Sequence, residues 1–103
     1  MRRLPHRLRF VRVQRTPDGM GGHVETWQTA FRIWGRVRGL SATERLRAMQ
    51  TAGESTHTIE VRYRGDITPD MRIEKRGETY EIDPPVDRRG DGRYMEMTAR
   101  RLW

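Results

Sequence analysis

The stretch AFRIWGRVR, residues 30–38, decides the fold of this chain. From residue 31 onward, apolar or small side chains alternate with arginines and one tryptophan. A period of two residues is typical of a β-strand that buries one face. The face expected to point inward holds Phe31, Ile33, Gly35 and Val37, and the outward face holds Arg32, Trp34, Arg36 and Arg38. The stretch therefore predicts a half-buried strand whose outer face is rich in arginine.

The same alternation marks six further segments on either side of this strand. They are predicted as strands over residues 7–15, 23–28 and 56–64, around Met71 and Ile73, around Tyr80 and Ile82, and over residues 93–101. In the first, the apolar phase slips by one residue between Phe10 and Val11, which predicts a β-bulge. Residues 16–22 and the pair Arg76-Gly77 are predicted as turns. Pro84-Pro85 should end the sixth strand, because proline cannot donate to a ladder.

One segment between the third and fourth predicted strands breaks the alternation. Ser41 and Glu44 have the spacing of a capping box, in which each side chain bonds the other residue's backbone N–H. Leu46 and Met49 follow three residues apart, so a short helix to about Gln50 is predicted. The fold class is therefore all-β: a six- to seven-stranded antiparallel barrel or sandwich with one short inserted helix. A chain of 103 residues fits a single domain over residues 1–103.

The residue content argues against catalysis. The chain has no cysteine, which excludes disulfides and thiolate metal sites. His6, His23 and His57 are far apart and lack the spacing of metal ligands. No serine has a recognisable partner base. We expect no catalytic residue, no cofactor and no metal, so the protein should not be an enzyme. No apolar run approaches the length of a membrane span, so no membrane partner is expected.

Charge and aromatic placement point to a macromolecular partner. The net charge is +7, and Lys75 is the single lysine among 21 basic residues. Arginine suits carboxylates and phosphates and is favoured at protein interfaces, so an acidic protein surface and a nucleic acid both remain open. Trp27 is expected to pack in the core at the end of the first hairpin. The candidate subunit interface, centred on the outward tryptophan, comprises Arg32, Trp34, Arg36 and Arg38.

Ordered motifs along the chain suggest a family. They are HRL (6–8), DGMGG (18–22), ETW (25–27), IWGRV (33–37), LSATE (40–44), AMQ (48–50), IEVRYR (59–64), ITPDMRI (67–73) and YEIDPPVD (80–87). Their order and spacing resemble the phage head–tail joining family, also called head-closure or stopper proteins of long-tailed phages, over residues 4–102. One departure is Gly35, where family members often carry a small residue other than glycine.

The resemblance implies a virion structural protein: a small β-barrel that assembles into a ring, typically of twelve copies. Such a ring lies below the adaptor or portal ring, above a tail completion or tail tube protein, and holds packaged double-stranded DNA. The particle is a phage, a prophage remnant or a gene transfer agent, assembled in the bacterial cytoplasm. In this family the inserted segment projects towards the channel and can help to block DNA exit. The matching positions here are Leu40, Ser41, Glu44, Leu46, Met49, Gln50, Thr51, Ala52, Gly53, Glu54, Ser55 and Thr56.

Two alternatives stay open from the residues themselves. The inserted helix could simply cap one end of the barrel, with Leu46 and Met49 on the core. The whole protein could instead be a small basic barrel of the OB type that binds nucleic acid, with strand aromatics such as Tyr63 and Tyr80. Stacking platforms need aromatic and basic side chains on one face, whereas these tyrosines are predicted to alternate with the charged residues.

Overall fold

The computed structural model describes residues 3–44, 46, 56–88 and 93–102, with the backbone alone described at 84–88. Six antiparallel strands close into one barrel in the order β1-β2-β3-β6-β5-β4. The strands are β1 (His6–Pro17), β2 (His23–Gly39), β3 (His57–Arg62), β4 (Arg72–Lys75), β5 (Glu78–Arg88) and β6 (Tyr94–Arg101). Residues 42–44 and 46 are helical and form α1, between β2 and β3. The prediction of an all-β fold with one inserted helix is confirmed, as a barrel.

The predicted β-bulge is present. The β1–β2 register passes from Phe10 opposite Phe31 to Val11 opposite Thr29, so Ala30 has no partner on β1. Phe10 and Val11 are therefore both buried although they are adjacent in sequence. The two predicted strands at 23–28 and 30–38 are wrong as separate elements, because β2 runs unbroken through this bulge.

The prediction that Pro84-Pro85 ends a strand is also wrong. β5 continues to Arg88, and its register with β6 shifts between Asp83 and Asp87. Proline is tolerated at such an irregularity, where the ladder is already interrupted. At the start of β5 the turn was predicted correctly: Arg76 and Gly77 both have positive φ, of 47° and 84°.

The barrel interior is apolar and closely packed. Phe10 stacks on Phe31 with ring centroids 4.9 Å apart, and Ile33 and Val37 pack against the same cluster. These residues confirm the inward face predicted for β2. The buried core members are Leu8, Phe10, Ile59, Val61, Ile67, Met71, Ile73, Tyr80, Ile82, Met95, Met97 and Ala99.

The hairpin of β1 and β2 extends well beyond the barrel. β1 pairs with β4 only over Arg9–Val11, and β2 pairs with β3 only over Gly35–Gly39. Residues 12–28, which we call the ribbon, are paired with each other alone. The molecule measures 49 × 31 × 26 Å along its principal axes, and the ribbon accounts for the elongation.

One buried hydroxyl group gives a stability prediction. Thr58 is 2% exposed, and its Oγ1 has no hydrogen-bond partner in the described part of the chain. Burying an unpaired hydroxyl is unfavourable, and valine has nearly the same shape. We expect Thr58→Val to raise the free energy of unfolding by about 1 kcal/mol, measured by chemical denaturation.

Thr98 provides the matched control, because it lies opposite Thr58 on β6 and is half-buried. Thr98→Val should change the free energy of unfolding much less. A destabilised Thr58→Val protein would show that the hydroxyl group does have a partner.

Candidate functional site

The outer face of β1 and β2 carries an exposed tryptophan among arginines. Trp34 is 54% exposed and lies directly opposite Arg7 on β1. The guanidinium carbon of Arg7 lies 5.4 Å from the centroid of the Trp34 ring, a cation–π distance. The prediction that Trp34 lies on the outward face of its strand is confirmed. The tryptophan therefore has one face against Arg7 and much of its surface in solvent.

Three further arginines complete this surface. Arg32 and Arg36 are exposed on the same face of β2, and Arg62 is exposed at the end of β3. None of these arginines, nor Arg7, forms an ion pair with an acidic residue that the structure describes. The resulting surface, which we call the Trp34 patch, comprises Arg7, Arg32, Trp34, Arg36 and Arg62.

The neighbouring arginines are engaged within the chain. Arg9, opposite Arg32, is paired with Glu74, and its Nε donates to Thr29 Oγ1 at 2.5 Å. Arg64 lies 3.8 Å above the Phe31 ring and is paired with Asp66 at 2.8 Å. Arg9 and Arg64 are thus neutralised within the chain, whereas the arginines of the Trp34 patch have no ion-pair partner among the described residues.

A shallow hollow lies beside the tryptophan. Its lining combines arginines with the apolar residues Leu4 and Ile33. Interfaces concentrate their binding energy in tryptophan and arginine side chains that become desolvated. The patch can therefore bind a partner that offers an apolar side chain together with a neutral or acidic rim. The residues that line the hollow are Leu4, Arg7, Arg32, Ile33, Trp34, Arg62 and Arg64.

Arg38, the fourth member predicted for this interface, belongs to a different contact. Its guanidinium nitrogens donate to the two carboxylate oxygens of Glu44 at 2.9 and 3.1 Å. Glu44 also accepts from the backbone N–H of Ser41 at 3.0 Å, and its own N–H donates to Ser41 Oγ at 3.2 Å. The predicted capping box is present, and Arg38 ties it to β2.

This arrangement perturbs the carboxyl group of Glu44. The hydrogen bonds from Arg38, first, and from Ser41 lower the pKa of Glu44 from its ordinary value of 4.5 to about 2. The bonds hold the ionised form, so their contribution is present above pH 4.5 and is lost as the pH falls through about 2. At neutral pH the first turn of α1 is thus fastened to the barrel.

The inserted segment leaves and rejoins the barrel at one point. The N–H of Leu40 donates to the carbonyl of Thr56 at 3.1 Å, and the N–H of Thr56 donates to that of Ala99 at 2.9 Å. Thr56 Oγ1 also accepts from the N–H of Arg101 at 2.9 Å. Leu40 and Thr56, which flank residues 41–55, are therefore fixed to each other and, through Thr56, to β6. We call residues 41–55 the excursion.

The structure places some of the predicted gating residues and not others. Leu40 is buried, and Leu46 is 63% exposed. The alternative that Leu46 packs on the barrel core is therefore wrong. The remaining predicted positions, Met49, Gln50, Thr51, Ala52, Gly53, Glu54 and Ser55, lie outside the described residues.

Two aromatic residues test the predictions: Trp27 differs from expectation, whereas Tyr80 lies off the charged face as predicted. Trp27 is not a core residue: it is 37% exposed on the ribbon, where the Arg72 guanidinium lies 4.3 Å from its ring centroid. Tyr80 is 1% exposed, and its hydroxyl donates to Glu78 at 2.6 Å. Burial, first, and that hydrogen bond raise the pKa of Tyr80 to about 12. Tyr80 cannot stack on a nucleic-acid base.

Sequence reasoning missed the ribbon as a projecting element. A signal was available: residues 16–31 contain no arginine or lysine, although 21 residues of the chain are basic. Within residues 3–44, 46, 56–88 and 93–102, no three histidine or acidic side chains converge to hold a metal ion. No helix in those ranges is long and apolar enough to cross a membrane.

Comparisons with known proteins identify similar chains. A family model described as phage head completion protein matches residues 1–102. The fold is similar to the solution structure of protein SF1141 from Shigella flexneri 2a, with a TM-score of 0.86 and 25% identity, covering 97% of this chain and 94% of that chain. It is also similar to a chain in the virion of a native gene transfer agent particle, with a TM-score of 0.67 and 28% identity, covering 98% and 96%. No curated protein matches the chain.

Proposed function

Because the chain belongs to the phage head completion protein family, we propose that it is one subunit of a head-to-tail connector ring. The ring would close the filled head and provide the surface on which the tail docks. The observation that carries this proposal is the family match over residues 1–102. The similar chain in a gene transfer agent virion supports a place in the virion of a phage or phage-like particle.

Within such a ring, the Trp34 patch serves as a contact between subunits. Like-charged barrels repel each other at short range, and this chain has a net charge of +7. A ring of identical copies therefore has to bring the Trp34 patch against a neutral or acidic surface of a neighbour. The same cationic surface could not be stacked on itself without an added counter-charge.

The excursion of residues 41–55 serves as the part of the subunit that faces the DNA channel. Its base is fixed by the Leu40–Thr56 and Thr56–Ala99 hydrogen bonds, while the barrel closes without it. Changes within the excursion would therefore leave the closure of the barrel intact. The adaptor or portal ring above and a tail protein below would be the other neighbours.

Deleting the gene tests the connector role. We expect filled or leaky heads and separate tails that do not join, because the docking surface between them is missing. Electron microscopy of the lysate measures the fraction of heads that carry tails, and infectivity or gene transfer provides a second readout.

Supplying the wild-type gene in trans should restore joined particles, which excludes an effect on neighbouring genes. Tailed and infectious particles in the complete absence of the protein would refute the connector assignment.

A second candidate is a nucleic-acid-binding barrel, which the exposed Trp34 beside unpaired arginines favours. In our proposal the isolated protein binds duplex DNA weakly and without sequence preference, through phosphate contacts whose counterion release makes affinity fall steeply with salt. Trp34→Ala should leave that binding nearly unchanged, because phosphate contacts need no stacking. Fluorescence anisotropy over a salt series measures both. Tight, sequence-selective binding that survives high salt and is lost in Trp34→Ala would favour the nucleic-acid module.

A further inference from the structure

The distal ribbon differs in charge from the rest of the molecule. Residues 16–31 carry the acidic side chains Asp18 and Glu25 and no arginine or lysine, in a chain of net charge +7. Met20 at the tip is 86% exposed and Val24 is 52% exposed. The part of the ribbon beyond Arg15 thus presents apolar side chains beside Asp18 and without any arginine or lysine, which complements the cationic Trp34 patch.

The turn at the ribbon tip is held in place by several hydrogen bonds. Asp18 Oδ1 accepts from the N–H groups of Met20 at 2.7 Å and Gly22 at 3.1 Å, and the Asp18 N–H donates to the Gly22 carbonyl at 3.1 Å. Gly19 and Gly21 supply the positive φ angles, of 81° and 84°, that the turn needs. These contacts hold Met20 at the tip of the ribbon.

Further contacts stiffen the ribbon below its tip. Arg15 and Glu25 lie opposite each other and form an ion pair at 2.9 Å. Nearer the barrel, Trp27 is covered by Arg72 of β4. A two-stranded hairpin is marginally stable in water by itself, so a long, ordered ribbon with exposed apolar side chains is suited to packing on another surface.

The ribbon cannot reach the Trp34 patch of its own molecule. Positions 23 and 34 belong to the same continuous strand, and eleven steps along a strand span about 37 Å. This separation exceeds the 31 and 26 Å widths of the molecule. A neighbouring barrel shifted by about one molecular width would therefore place its Trp34 patch within reach of the tip.

We infer that the ribbon of one copy seats its tip in the hollow of the Trp34 patch of the next copy. This inference rests on the proposed ring and names the partner of its interface. Met20 enters beside Trp34, where a methionine sulfur makes favourable contacts with an aromatic ring. Asp18 then faces the patch arginines. The two surfaces are different, so the contact between copies is heterologous. A heterologous contact closes a ring when the rotation between copies allows it.

Disulfide trapping tests this contact, and the chain is suited to it because it has no cysteine of its own. Met20→Cys places a thiol at the tip, and Arg62→Cys places one at the rim of the hollow. In assembled particles, a protein with both substitutions should oxidise to a ladder of covalent multimers on a non-reducing gel. Each single variant should give no ladder, because a heterologous contact brings unlike positions of two copies together.

A matched control moves the first thiol away from the tip. Gln14 lies in the ribbon and is exposed, and Gln14→Cys with Arg62→Cys should give no ladder. Thermal unfolding of each purified variant checks that the fold is retained.

The possible failures are distinguishable. Tailed particles that contain the double variant but give no ladder would overturn the heterologous contact between copies. They would leave the connector role unaffected. Tailed particles that form without the protein would overturn the connector role itself. A third result would also overturn the contact: no ladder, together with loss of DNA binding in Trp34→Ala, would assign the patch to nucleic acid.

Discussion

Replacing Gly35 by alanine should lower the free energy of unfolding by about 1–3 kcal/mol, the usual cost of forcing extra volume into a packed core. A β-carbon at this position would lie 2.4 Å from Leu8 Cδ1, 2.9 Å from Val61 Cγ1 and 3.0 Å from the Glu60 carbonyl oxygen. The leucine can rotate, but the valine is branched at Cβ and the carbonyl belongs to the backbone of β3. Strands β1, β2 and β3 would have to move apart.

Gly39 is the matched control for this substitution. It lies on the same strand, and a β-carbon there meets no atom within 4 Å. Gly39→Ala should be neutral or slightly stabilising, because alanine has less conformational freedom to lose on folding. Thermal unfolding measures both variants, and Gly35→Ala should melt about 5–20 °C below wild type. Equal melting temperatures for the two variants would show that the barrel absorbs the methyl group.

This packing gives a physical reason for glycine at position 35. Leu8 and Val61 fill the space beside it, and both are fully buried. The glycine is thus matched to its two neighbours and does not simply weaken its strand.

Features that depend on neighbours in sequence could be predicted. The phase slip at Phe10-Val11 and the Ser41–Glu44 spacing each specify a local structure, and both structures are present. The inward and outward faces of residues 31–38 were predictable for the same reason, since alternation alone assigns them. These local rules were enough to establish the fold class and to place Trp34 among exposed arginines.

Features that depend on distant residues could not be predicted. Arg38 was assigned to the interface by alternation, but its partner Glu44 lies on α1 and withdraws it from the Trp34 patch. Trp27 was expected in the core because large aromatics usually are buried, whereas β2 has no β3 partner at that point and Trp27 lies outside the barrel. The closing pair β1–β4, which joins residues more than 60 positions apart, has no sequence signal at all.

The excursion of residues 41–55 gives the second large expected effect. In our proposal it faces the channel and retains DNA, so replacing residues 51–55 by glycine and serine of equal length should produce heads that lose most of their DNA. Thr56 is left in place because its hydrogen bonds with Leu40, Ala99 and Arg101 fix the base of the excursion. The variant should therefore fold and dock normally. Nuclease protection of DNA in purified heads measures the loss.

A second substitution separates the role of the excursion from that of its fastened first turn. Glu44→Gln keeps the size of the side chain but removes the charge that pairs with Arg38. If the first turn only anchors the excursion, Glu44→Gln should weaken DNA retention less than the replacement of residues 51–55. Both proteins must assemble at wild-type levels for the comparison to hold, which immunoblots of purified particles can check. Full assembly with unchanged DNA retention in the 51–55 variant would contradict the gate. Because the exposed Leu46 already excludes a cap built on that side chain, the excursion would then have to act on a neighbouring protein rather than on DNA.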